Sequence, residues 1–284
     1  MDIDGIIMNK IYVTADCHGA VMDRFSFRQQ PELRQLDSTD VVVVCGDIGI
    51  MWPGYEKEAK YVLNWLATKK TFTCLFIRGN HDNEPWWESC PATTGNASIR
   101  LLDGDLRVAA IDGVAYDNVF LVTSTAILDV CGKKCLCIGG AESTDAYNLY
   151  YPHEKTKIKT ARSKREWHRV IGKSWWPNEG INVAYANAVL TRNYPDPWLF
   201  QKFDYILTHQ SPSGYLTSGY NYRKDRWKET DEIKFLENIR LSKNFKHWYH
   251  GHQHQFCTWT KEDEPPVTCL YYDFIDADTC EWLE

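Results

Sequence analysis

The chain has 284 residues, 44% hydrophobic and 25% charged, with a formal net charge of −6. This is the profile of a soluble globular protein long enough to bury its own core, and its acidic balance argues against a chain that holds nucleic acid by charge alone. There is no charged-then-apolar-then-small leader and no apolar run of the ~20 residues that span a bilayer, so a cytoplasmic, reducing setting without a membrane partner is expected.

The opening MDIDGIIMN reads as a short tail over residues 1–9, with Met8 as an alternative start. KIYVTAD (Lys10–Asp16) predicts a strand. DVVVVCGD (Asp40–Asp47) predicts a fully buried one, because its apolar run is continuous and β-branched. Residues Tyr55–Lys69 predict an amphipathic helix, with Tyr61, Val62, Trp65 and Leu66 at helical spacing and charges on the other side. Phe72–Ile77 is the next strand, so the first third alternates strand and helix as a βαβ layout with a parallel sheet.

In the middle, RVAAIDGV, VFLVTST and KKCLCIGG are short strands between turn signals, which suggests a second, more antiparallel or mixed sheet. Of the ten cysteines, Cys131, Cys135 and Cys137 cluster here without a C-x-x-C pair. Cys135 and Cys137 share one face of a strand, and buried free thiols are preferred to a zinc or disulfide site. The following stretch, HEKTKIKTARSKREWHRVIGKSWWPNEG, is polar and basic. It reads as a solvated loop or surface helix, or else as a lid over about residues 147–180 that presents Lys and Arg to an anionic substrate. Ile181–Tyr194 reads as a helix, Phe203–His209 as a strand and Asp231–Leu241 as a helix, and FKHWYHGHQH and PPVTCLYYDF close the chain with strands. No internal repeat or low-complexity linker interrupts it, so one domain over residues 1–284 with two packed sheets is expected.

Metal-capable side chains recur where apolar runs stop. Asp16 and His18 follow the first strand, Asp47 the second, and Asn80, His81 and Asp82 the third; His209 ends a later strand, and His252 and His254 follow another. In α/β sheets ligands bind beyond the carboxyl ends of strands, so five segments offer polar tips to one edge. In extended chain, residues i and i+2 point the same way, which lets Asp16 and His18, or His252 and His254, converge. Mixed nitrogen and oxygen ligands without sulfur suit Mn, Fe or Zn. They outnumber what one ion wants, which argues for two ions about 3.5–4 Å apart, a clamp for in-line displacement at phosphorus.

Asp16-Cys17-His18, Gly46-Asp47, Gly79-Asn80-His81-Asp82, His209 and Gly251-His252-Gln253-His254, in that order, resemble the motif set of the calcineurin-like metallophosphoesterase superfamily. The resemblance spans residues 16 to 254 and extends to small bacterial and phage-type members. It implies an α/β fold, a two-sheet β-sandwich flanked by helices. It implies a metal-dependent phosphoesterase with two divalent ions, Mn foremost, with Fe, Zn, Co, Ni or Mg as alternatives. One ion would be held by Asp16, His18 and His254 with Asp47 bridging, the other by Asp47, Asn80, His209 and His252. A hydroxide bridging the metals would attack phosphorus, and His81 would assist the leaving group.

Two further site residues stay open. Asp82 either holds a neighbouring group in place or caps the turn. Arg78 either contacts substrate phosphate or forms an ion pair at the sheet edge. Gly79 is expected to let the backbone turn between strand and site. GDIGIMWPG lacks the Asp-Arg-Gly of family members that act on phosphoproteins, so a phosphodiesterase or nucleotide phosphatase leads, with a nuclease or a non-catalytic scaffold of the same fold as alternatives. Trp86, Trp87, Trp175 and Trp176 would stack on a nucleobase or pack internally, with packing preferred. A thiol enzyme using Cys17 or Cys45 is disfavoured, because neither has a base of its own.

Overall fold

The structure, a computed structural model, describes residues 9–143, 146, 148–166, 168–192, 201–216 and 229–281. The tail over residues 1–8, Tyr147, Asn193 and Tyr194 lie outside the described residues.

The continuous β-branched runs do form buried strands. Strands β1 (Ile11–Thr14), β2 (Val41–Cys45) and β3 (Thr73–Ile77) pair in parallel, and β3 continues in parallel to β6 (Val114–Val122). Antiparallel strands β5 (Arg107–Ile111) and β15 (Ile275–Asp276) close the edges of this six-stranded sheet. The second sheet has seven strands. In it β8 (Lys133–Ile138), β11 (Phe203–Thr208), β12 (Phe245–His250) and β14 (Glu264–Cys269) run parallel. The strands β7 (Thr125–Val130), β4 (Ile99–Gly104) and β13 (Cys257–Lys261) add antiparallel margins. The second sheet is mixed, as expected, but of the three short strands assigned to it only β8 joins it: β5 and β6 extend the first sheet instead, and β4 had not been singled out in the sequence.

Side-chain alternation sorts the layers. Val41, Val43, Leu75 and Ile77 of the first sheet meet Leu128, Cys135, Cys137 and Leu207 of the second in a core between the sheets. Val42, Val44 and Phe76 face the other way, against helices α1 (Val21–Arg24), α2 (Glu56–Lys69) and α3 (Glu84–Ser89). Leu136, Ile206 and Trp248 do the same on the far side, against α5 (Val183–Thr191) and the helix Asp231–Ser242. The result is helices, sheet, sheet, helices, the sandwich expected. The sequence reading of α2 misplaced one residue: Tyr61 is exposed, and the inward stripe is Ala59, Leu63 and Leu66. A tyrosine carries a polar tip and tolerates either side of such a stripe.

Between β8 and α5 the chain forms helix α4 (Lys155–Ser163) and a two-stranded parallel pair, β9 (Leu149–Tyr150) with β10 (Arg169–Val170). This is the basic stretch of the sequence, and it is neither a plain loop nor a single helix. Among the described residues no helix is long and apolar enough to cross a membrane.

Candidate metal centre

All the predicted ligands follow the carboxyl ends of parallel strands, β1, β2 and β3 in one sheet and β11 and β12 in the other. Past β1 and β2 the chain segments stay paired. The Asp16 N–H donates to the Gly46 carbonyl (3.1 Å), the His18 N–H to Asp47 (2.8 Å) and the Gly19 N–H to Ile48 (3.0 Å). They leave the extended conformation as they do so. φ is +55° at Asp16, +46° at His18, +54° at Asp47, +69° at His252 and +51° at His254. Convergence therefore comes from left-handed turns and not from the i, i+2 alternation of extended chain. Each such residue costs roughly 1–3 kcal/mol, and a group of them persists only where the surroundings fix it.

Gly79 also has a different reason from the one expected. Its φ is not in the left-handed region; a Cβ there would lie 2.1 Å from Asp47 Oδ1 and 2.4 Å from the Asp47 nitrogen. The residue is glycine because two loops must touch. Gly46 meets both demands, with φ of +86° and a Cβ position 2.1 Å from the His209 ring.

The donor atoms gather in two groups that share Asp47. In the first, His18 Nε2 lies 2.9 Å from His254 Nε2. His254 Nε2 lies 3.4 Å from Asp16 Oδ1, and His18 Nε2 is 3.8 Å from both Asp16 Oδ1 and Asp47 Oδ2. In the second, His209 Nε2 is 3.4 Å from Asp47 Oδ2 and 3.1 Å from Asn80 Oδ1. The Asn80 amide is oriented by its NH2, which donates to Ser143 Oγ (2.9 Å). His252 stands at the margin, its ring 4.9 Å from that of His209 and its N–H donating to the Asp16 carboxylate. Asp16, Asp47, Asn80 and His209 are buried, and His254 is exposed.

The donor chemistry fits divalent cations. His209 Nδ1 faces the Cys45 carbonyl at 2.9 Å, and a carbonyl only accepts, so Nδ1 carries the proton. Nε2 then faces two oxygens, Asn80 Oδ1 and Asp47 Oδ2, a convergence that needs a positive centre, either a proton on Nε2 or a cation. Burial opposes charging His209, but Asp47 and Asp16 outweigh it and raise its pKa to about 9. Burial likewise opposes the Asp47 charge, yet His209, His81 and His18 hold that carboxyl well below the usual range. A cation answers the same demand with more charge.

His81 donates its N–H to Asp47 Oδ1 (2.8 Å), and its carbonyl accepts from Trp52 Nε1 (2.7 Å). Its ring lies 5.0 Å from that of His18. Geometry alone would let His81 join His18 and Asp47 around a cation, but the Arg169 guanidinium meets both its ring nitrogens. Asp82 serves both purposes left open for it. One oxygen accepts from Gly79 N (2.8 Å), closing its own turn, and the other from Gly49 N (2.9 Å), bracing the loop after β2.

Arg78 is a correction. It is 4% exposed, and its donors go to the carbonyls of Thr123, Asn178, Glu179 and Gly180. It ties β3 to those segments and offers no fork to a phosphate. Trp86, Trp87 and Trp176 are buried and so unable to stack on a base. Burial pushes the Cys17 thiol up to about 12 and the Cys45 thiol well above its usual value, so neither is a nucleophile. Sequence reasoning missed Ser143 and Arg169; both lie outside the motif blocks, and only the basic composition around Arg169 hinted at it.

The calcineurin-like phosphoesterase family model matches residues 9–256. No curated protein matches the chain. Among solved structures it is similar to a phosphopantetheinyl hydrolase from Mycobacterium tuberculosis, 13% identical over 93% of this chain and 90% of that one, with a TM-score of 0.48. It is also similar to a dimetal phosphatase from Danio rerio, 12% identical over 95% and 92%, with a TM-score of 0.46.

Proposed function

The chain belongs to the calcineurin-like phosphoesterase family and is a metal-dependent phosphoesterase, and on that premise we propose that two divalent cations, Mn foremost, work at Asp47. Asp16, His18, His254 and Asp47 would hold one; Asp47, Asn80, His209 and His252 would hold the other. The observation that carries this reading is the convergence of His209 Nε2, Asn80 Oδ1 and Asp47 Oδ2 from both sheets. Bound there, the cations supply Lewis acidity and an activated water at neutral pH.

The chain's own residues do the rest. Asp47 fixes the His81 backbone through its N–H. His81 would assist the leaving group: as the water oxygen bonds to phosphorus and the bond to the leaving oxygen breaks, that oxygen takes a proton from the protonated His81 imidazole, which the proton released by the attacking water restores. Tyr271 stacks on His254 at 4.9 Å, and Tyr272, 58% exposed, lies 4.6 Å from Tyr271. This aromatic rim suits the base of a nucleotide, which favours a small nucleotide as substrate. Cysteines that are all free accord with a cytoplasmic setting.

The test is hydrolysis of p-nitrophenyl phosphate and its bis-ester by chelator-stripped protein before and after Mn is restored. Turnover is expected only with Mn, abolished by Asp47→Ala and lowered on the order of 100-fold or more by His81→Ala. Absence of both turnover and bound metal would sink the reading.

A further inference from the structure

Arg24 closes helix α1 and is 4% exposed. A buried guanidinium is costly unless its donors are used. Nη1 lies within hydrogen-bonding distance of Thr14 Oγ1 (3.2 Å) and of the Ala15 and Tyr271 carbonyls (3.1 and 2.5 Å), and Nη2 donates to the Asp16 carbonyl (3.1 Å). The same guanidinium stands 4.3 Å from the centroid of the Tyr272 ring. One side chain thus joins the end of β1 to the segment that follows β14, 247 positions further along the chain.

Both ends of this bridge lead to the same group of donor atoms. Asp16 brings its carboxylate to His18 and His254. Tyr271 stacks on the His254 ring, with centroids 4.9 Å apart and planes 13° from parallel. His254 needs that support: its side chain is 47% exposed, so burial does not fix the ring. The other group is oriented by different partners, the Cys45 carbonyl for His209 and Ser143 Oγ for Asn80.

We propose that Arg24 is a positioning residue for the first cation alone. It fixes the Asp16 backbone directly and the His254 ring through Tyr271, and so sets the affinity of that site and not of the site of Asn80 and His209. This rests on the two-cation phosphoesterase reading above. A ligand already held in its binding pose loses less freedom when the ion arrives, and partners that orient metal ligands contribute about 10- to 100-fold in affinity. Arginine suits the task because its planar fork reaches two segments at once, whereas lysine has a single nitrogen.

The test is a calorimetric titration with Mn of chelator-stripped wild type, Arg24→Gln, Arg24→Lys, Tyr271→Leu and Tyr271→Phe, with thermal unfolding of each metal-free protein alongside. His254→Ala identifies which of the two binding steps belongs to the first site. Arg24→Gln is expected to weaken that step about 10- to 100-fold and to leave the other unchanged. Arg24→Lys falls between. Tyr271→Leu weakens the same step, and Tyr271→Phe, which keeps the stack, does not. Adding Arg24→Gln to His254→Ala leaves the remaining step as it was. Equal weakening of both steps by Arg24→Gln, or of neither, overturns the proposal and leaves Arg24 a structural tie; Tyr271→Leu without effect overturns the route through His254. If Arg24→Gln does not fold, Arg24→Lys is judged by the same criterion. Two Mn bound without hydrolysis of p-nitrophenyl phosphate or its bis-ester would sink the phosphoesterase reading, and the titrations would still decide the proposal. A single Mn in wild type overturns the proposal, and no Mn overturns both.

Discussion

The Asp82 carboxylate receives the Gly49 N–H on one oxygen and the Gly79 N–H on the other. Burial and the nearby Asp47 charge both raise its pKa, so the two N–H groups hold a carboxyl that its surroundings disfavour. Replacing one oxygen by NH2 sets donor against donor. Asp82→Asn is therefore expected to destabilise the protein by about 1–3 kcal/mol. Because it loosens the turn beneath Asn80, it should also weaken Mn binding by about tenfold or more. Thermal unfolding and a metal titration check the two effects separately. Gly79 acts at the same scale: its missing Cβ is what allows Asp47 and the third loop to touch.

The segments after β8 and before α5 are pinned by buried charge. Arg78 joins β3 to residues 178–180. Glu179 accepts the Ser143 N–H (2.6 Å), and Glu232 accepts the N–H groups of Glu142 (3.1 Å) and Ile181 (2.7 Å). These contacts hold Ser143 in place, and Ser143 orients the Asn80 amide. Burial raises the Glu179 pKa from 4.5 to about 7. The unfolded chain ionises near 4.5, while the folded chain keeps its proton until about 7, so this contribution is complete below the lower value and is lost as pH rises through the upper one. Relative to Glu179→Gln, wild-type stability should fall by about 3 kcal/mol at most across that window and level off above it. Calorimetric Tm values of both proteins between about pH 5 and pH 8 test this; parallel curves would show that Glu179 keeps its charge when folded.

At the scale of the molecule, the proposed ligand set draws on both sheets. Asp16, His18, Asp47 and Asn80 follow strands of one sheet, and His209, His252 and His254 follow strands of the other. Cations held among them would cross-link the sandwich at its carboxyl edge, and a ligand that binds only the folded chain stabilises it by mass action. Stripping metal with a chelator should lower Tm. Restoring Mn to about 100 times its Kd should return roughly 2.7 kcal/mol per site. A Tm indifferent to chelation would separate the metals from the folding of this edge.

The sequence by itself showed the buried central strands, the longer helices and the candidate ligands. The β-branched runs of 41–45 and 73–77 form buried strands because continuous apolar character leaves them no solvent face. Asp16, His18, Asp47, Asn80, His209 and His254 were legible because each follows such a run, in an order and with neighbouring glycines that local chemistry explains. Only the tertiary structure decided what long-range contact decides. It turned Arg78 onto backbone carbonyls, sent Trp86 and Trp87 into the core and brought Arg169 to His81 across 88 positions of chain. Where a buried guanidinium points depends on which acceptors the fold brings within its reach, and no local pattern of residues encodes that.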